Sequence, residues 1–199
     1  MNSPQDVRRQ VLHALRLLGY AGTIPVSERA GVLPAEAAEF LREAQAAGQV
    51  TRSRFEDDGG WSLTEAGKTL GEKLLAEELK STEARPLVES VMAEFEPLNR
   101  LVVDACTRWQ LTEMGITEPP ASLADVLSSL SRGSAGWSVL EERLVNRLPR
   151  YSGYHERFDM AVDRARTDPA WLTATDRESA HRVWFELHED LLATLGRSR

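Results

Sequence analysis

Cysteine, lysine and long apolar runs are what this sequence has little of. Cys106 is the one cysteine in 199 residues, so an internal disulfide is excluded and nothing points to an oxidising compartment. No apolar run approaches the roughly 20 residues of a membrane-spanning helix. Residues 1–10 lack the cationic and then apolar pattern of a secretory leader, so a cytoplasmic protein without a membrane partner is expected. The three lysines are Lys68, Lys73 and Lys80, and every later basic residue is arginine. Positive charge is scarce as a whole. Against 31 Asp+Glu stand 24 Lys+Arg, a formal net charge of -7, and neither residues 1–80 nor residues 81–199 are basic. That balance disfavours strong nonspecific binding to nucleic acid, which draws its affinity from phosphate contacts, but it leaves room for a local basic patch. Also missing are a glycine-rich phosphate loop, Gly-x-Ser-x-Gly, zinc-spaced cysteines and His-Glu-x-x-His, so no enzyme activity and no cofactor are expected. Cys106, flanked by Val102, Val103 and Ala105, reads as a small buried residue.

What is present is helical periodicity. Ser3 suits a helix N-cap, Pro4 the first helical position, and Asp6 the positive end of the helix dipole. Val7, Val11, Leu12, Leu15 and Leu18 then recur at helical spacing up to Gly19. Residues 23–25 leave room only for a stub of strand, and residues 26–30 form a short helix ended by Gly31. Pro34 opens a third helix to about residue 47, with Ala37, Phe40, Leu41 and Ala44 as its apolar stripe. Residues 49–55 alternate as a strand, residues 56–60 form a polar turn with Asp57 and Asp58 at its tip, and residues 61–63 are the return strand. Thr64 caps a helix to about residue 80. After a polar hinge at residues 81–85, the remainder reads as helices over 86–114, 122–130, 137–148, 150–166 and 176–195, with a loop at 131–136 and a kink or break at Pro97. The expected fold class is mainly α, with an N-terminal winged helix-turn-helix and its two-stranded wing over residues 1–80 and an all-helical domain over residues 81–199.

The order helix, short helix, turn, helix, strand, glycine-containing turn, strand, helix carries a resemblance. Val26-Ser27-Glu28-Arg29-Ala30-Gly31-Val32-Leu33-Pro34-Ala35-Glu36-Ala37 resembles the helix-turn-helix of MarR-like bacterial regulators, with Ala30 small enough for two helices to meet and Gly31 permitting the turn. Trp61-Ser62-Leu63-Thr64-Glu65-Ala66-Gly67 resembles the wing's return strand and following helix; the likeness covers about residues 7–80. It implies a transcriptional regulator that binds double-stranded DNA as a homodimer, with the third helix in the major groove. The implied DNA-binding residues are Ser27, Arg29, Ala35, Glu36, Glu39, Arg42, Arg52 and Arg54, the last two sharing one strand face. Glu36, Glu39 and Glu43 run against a phosphate-facing surface, so a winged-helix adaptor that binds protein rather than DNA is the alternative.

The second half holds four of the five tryptophans. Arg108, Trp109, Arg182, Trp184 and His188 are candidates for a pocket that takes a small-molecule effector, against the plainer reading of the tryptophans as core. His181 and His188 lie two helical turns apart, too far to share an ion without further ligands such as His155 or Asp104, so no metal site is expected. The segment from His181 to Leu192 is similar to the C-terminal helices of actinobacterial winged-helix proteins of uncertain role, which assigns it no chemistry.

Overall fold

A computed structural model of the chain describes residues 3–53 and 59–197. It is mainly helical, with one small antiparallel sheet: α1 (Pro4–Leu18), α2 (Thr23–Ala30), α3 (Pro34–Ala46), β1 (Val50–Ser53), β2 (Gly60–Leu63), α4 (Glu65–Ser81), α5 (Arg85–Glu113), α6 (Leu123–Val145), a 3-10 turn at Pro149–Tyr151, α7 (Tyr154–Ala165), α8 (Ala170–Thr173) and α9 (Ala180–Leu195). No helix among the described residues is long and apolar enough to cross a membrane. The chain divides into two compact units, Met1–Ser81 with Leu192–Arg199, and Thr82–Leu191.

The first unit closes on hydrocarbon. Ser3 caps α1 reciprocally: its hydroxyl accepts from the Asp6 N–H at 3.2 Å, and the Asp6 carboxylate accepts from the Ser3 N–H at 3.2 Å. Val7, Val11, Leu12 and Leu15 of α1 pack with Val26 and Ala30 of α2, the α3 stripe, Val50, Trp61 and Leu74. Thr64 begins α4 by donating its hydroxyl to the Gly48 carbonyl (2.7 Å) and accepting from the Gly67 N–H (3.2 Å). The second helix starts three residues earlier than its periodicity suggests. Pro25 lies in the first turn of α2, where an N–H has no intrahelical partner to lose. The stub of strand falls instead on Ala21, which exchanges backbone hydrogen bonds with Trp61 at 2.8 and 3.2 Å.

In the second unit α5 runs unbroken through Pro97. The carbonyl that loses its partner there is that of Ala93, an exposed residue, so water can satisfy it. The loop expected at residues 131–136 does not exist: α6 is one helix of 23 residues. A Cβ on Gly133 would lie 2.4 Å from Val102 Cγ2, and one on Gly136 would lie 2.7 Å from the Leu98 side chain. These glycines are where α6 approaches α5, and the contact outweighs their poor helix propensity. The last helix likewise begins at Ala180 rather than near residue 176, and α7 begins only after Gly153, at φ 96°. Phe95 centres the core of this unit: its ring is stacked with Trp184 at 5.1 Å and meets Trp137 edge-on at 5.9 Å.

Candidate nucleic-acid interface

The turn between α2 and α3 is set by two residues. Gly31 takes the left-handed conformation (φ 64°), which a residue with a Cβ adopts only at a cost, and its N–H donates to the Glu28 carbonyl at 3.2 Å. Leu33 is extended before Pro34, and its N–H is taken by the Glu36 carboxylate at 3.1 Å. With Ala37, Phe40, Leu41 and Ala44 buried, the opposite face of α3 presents Ala35, Glu39 and Arg42, all exposed. Glu36 and Glu43 flank that face. With Glu39 they border a cleft of about 320 Å³ against α1, whose Arg8 guanidinium lies 5.7 Å from the centre of the Phe40 ring. Arg42, Glu39 and Glu43 make no ion pair among the described residues.

The residues singled out from the sequence fare unequally. Ser27 is only 1% exposed, and its hydroxyl donates to the Ile24 carbonyl at 2.8 Å, so it is turned into its own helix and has no surface to offer a ligand. Arg29 is half-buried and has a partner within the fold. Arg52 is exposed on β1, opposite Trp61 in register, with its guanidinium 5.2 Å from that ring's centre. The Trp61 indole N–H donates to the Thr23 hydroxyl at 3.0 Å, which fixes the ring on which Arg52 rests. Arg54, Asp57 and Asp58 lie outside the described residues.

A residue the sequence reading passed over holds the hairpin. The Tyr20 hydroxyl accepts from the Gly60 N–H at 2.6 Å and donates to the Ser53 carbonyl at 3.2 Å, joining the paired residues at the distal end of the ladder. A Cβ on Gly60 would fall 2.2 Å from the Tyr20 ring. The sequence reading had placed Gly60 in the turn; as the first residue of β2 it is a strand glycine, which often marks a place where another group approaches the backbone closely.

The five residues proposed as an effector pocket have other tasks or are scattered. Trp184 is core, its indole N–H donating to Asn99 Oδ1 at 3.0 Å, and half-buried His188 lies 5.6 Å from the Phe95 ring. Exposed Arg108 pairs with Asp104 at 3.0 Å, and Arg182 donates to the Thr175 carbonyl at 3.1 Å. Trp109 is half-buried, with its indole nitrogen shielded and unpartnered among the described residues. A cleft of about 340 Å³ in this unit is bordered by Gln110, Glu113, Met114, Ala170 and residues 173–175, and by none of those five. Burial pushes the Cys106 thiol up to about 12, so it stays protonated near neutral pH and is a poor nucleophile. Among the described residues, no group of three or more His, Cys, Asp or Glu gathers where it could hold a metal ion. Comparison of the chain with family models, with curated proteins and with solved structures finds no match in any of the three.

Proposed function

We propose that the protein is a DNA-binding transcriptional regulator whose first unit is a winged helix-turn-helix, α3 serving as the recognition helix and the β1–β2 hairpin as the wing. The observation that carries this reading is the exposed face of α3 bearing Ala35, Glu39 and Arg42, set off by the tight Gly31 turn and followed by a hairpin with Arg52 outward. The Ala21 bridge to Trp61 supports it, adding a single antiparallel rung beside the hairpin. Arg42 and Arg52 supply the cations for phosphate contacts, on two elements that pack against each other. The reading includes a homodimer in the cytoplasm, because a two-fold operator pairs with a two-fold protein and one acidic module alone binds weakly. It assigns assembly, and response to a small-molecule effector, to the helical second unit.

The test is binding of the purified chain to genomic fragments, its own upstream region among them, across a salt series. Saturable, sequence-selective binding that weakens with salt is expected, and Arg42→Ala or Arg52→Ala should each lower the slope of log affinity on log salt by about 1. One observation favours a second reading. Glu39 and Glu43 are exposed carboxylates on α3, a face suited to a basic protein surface. Absence of selective DNA binding even at low salt, with and without cell extract as a source of effector, would leave that adaptor reading in place.

A further inference from the structure

Glu39 is the residue on α3 whose chemistry a DNA surface must answer. It lies four residues after Ala35 and three before Arg42, in the middle of the outward face, and is exposed. The three carboxylates of α3 differ in what engages them. Glu36 is held by the Leu33 N–H. Glu43 lies one turn further from the N-terminal end of the helix, the end that reaches base edges. Glu39 has no hydrogen bond and no ion pair among the described residues. Arg8 borders the same cleft, but its guanidinium lies over the Phe40 ring and it makes no ion pair among the described residues.

A carboxylate is an acceptor only. In a groove walled by phosphates it is repelled unless a base offers it a donor. Guanine presents two acceptors to the major groove, and thymine an acceptor and a methyl group. Adenine presents a donor beside an acceptor, whereas cytosine presents an amino donor with no acceptor of its own beside it. Resting on the DNA-binding reading, we propose that Glu39 is the specificity-determining residue of α3. It accepts from the N4 amino group of one cytosine in each half-site and is repelled where guanine or thymine takes that place on the contacted strand. The acidic character of the helix then becomes the source of its selectivity, since the same charge that weakens binding to most sequences is answered at one base.

The experiment is selection of binding sites from a randomised double-stranded DNA pool by the full chain, by Glu39→Ala and by Glu39→Gln. Circular dichroism of each variant confirms that it is folded. The wild-type chain is expected to fix a cytosine at one position of each half-site, with discrimination there of about tenfold or more. Glu39→Ala is expected to lose that preference while binding an arbitrary duplex more tightly than the wild type. Glu39→Gln should move the preference toward adenine, whose donor and acceptor a carboxamide matches. If the wild type enriches a motif and Glu39→Ala enriches the same motif with its cytosine intact, the role of Glu39 is overturned and DNA binding stands. If the wild type enriches no motif at all, DNA recognition itself is overturned.

Discussion

The two units solve the problem of stability differently. In the first, α1 to α4 close over a cluster that is almost wholly aliphatic and aromatic, with one buried carboxylate among the described residues, Glu78, 3.2 Å from Arg9. In the second, several carboxylates are engaged by more than one donor each. Asp190 is 1% exposed, pairs with Arg150 and accepts from the Tyr154 hydroxyl at 3.0 Å. Glu186 is 7% exposed and pairs with Arg157 at 3.0 Å. Glu141 takes the Trp137 indole N–H at 2.7 Å and the backbone N–H groups of Gly153 and His155 at 2.9 and 2.6 Å. An aliphatic core tolerates small shifts. A buried network of charges and fixed donors holds its helices in one register, because an unanswered charge costs far more than a displaced methyl.

The largest effect that follows is at Asp190. Asp190→Ala removes the buried carboxylate that pairs with Arg150 and accepts from the Tyr154 hydroxyl, and should cost about 3–5 kcal/mol in denaturant unfolding. Glu78→Ala should cost less, about 1–3 kcal/mol, because Arg9 keeps Asp6 at 3.0 Å. Equal losses at the two sites would erase the contrast between the units. Gly133→Ala comes next, at about 1–3 kcal/mol, from the clash with Val102. Adding Val102→Ala should return part of that loss, and a double variant no more stable than Gly133→Ala would show that the α5–α6 contact is not what the glycine serves. In the first unit, Tyr20→Phe removes two hydrogen bonds at a half-exposed site, for about 1 kcal/mol. Its sharper signature is faster amide hydrogen exchange at Gly60, with the exchange of α1 unchanged.

The smallest effect concerns pH. Burial lowers the His181 pKa below its ordinary 6.5. Above pH 6.5 the ring is neutral in both folded and unfolded chains, and its contribution is intact. As pH falls below 6.5 the unfolded chain takes up a proton that the folded chain resists, so stability declines until the folded pKa is passed. His181→Gln should flatten this part of the stability profile between pH 7 and pH 5. An unchanged profile would mean that the ring is not effectively desolvated.

How far these features were legible in the sequence depends on the range of the forces that set them. The α1 cap, the α3 stripe and the hairpin followed from neighbours within about four residues, and they were read close to their observed limits. Residues 131–136 were misread as a loop because serine and glycine serve loops and tight helix contacts alike, and only Leu98 and Val102, some 30 residues away, distinguish the two cases. The same limit applied to the candidate sites. Of Ala35, Glu36, Glu39 and Arg42, expected to face outward from the likeness, Ala35, Glu39 and Arg42 are exposed and Glu36 is half-buried, whereas the hydroxyl of Ser27 turned back to a carbonyl of its own helix. Trp184 was singled out for its size and aromatic character, qualities that equally suit a core, and Phe95 is what claims it.

Tyr20 places the alignment of the hairpin under the control of a residue that does not belong to it. Ser53 and Gly60 are both tied to one phenol oxygen, so an anchor outside the hairpin holds the two strands opposite each other at that end. Turn type and length ordinarily set the register of a hairpin, and here Tyr20 adds a second determinant for the rungs from Val50 to Ser53. For an engineer the hairpin is a socket, and Tyr20 is the part of its seating that lies outside it.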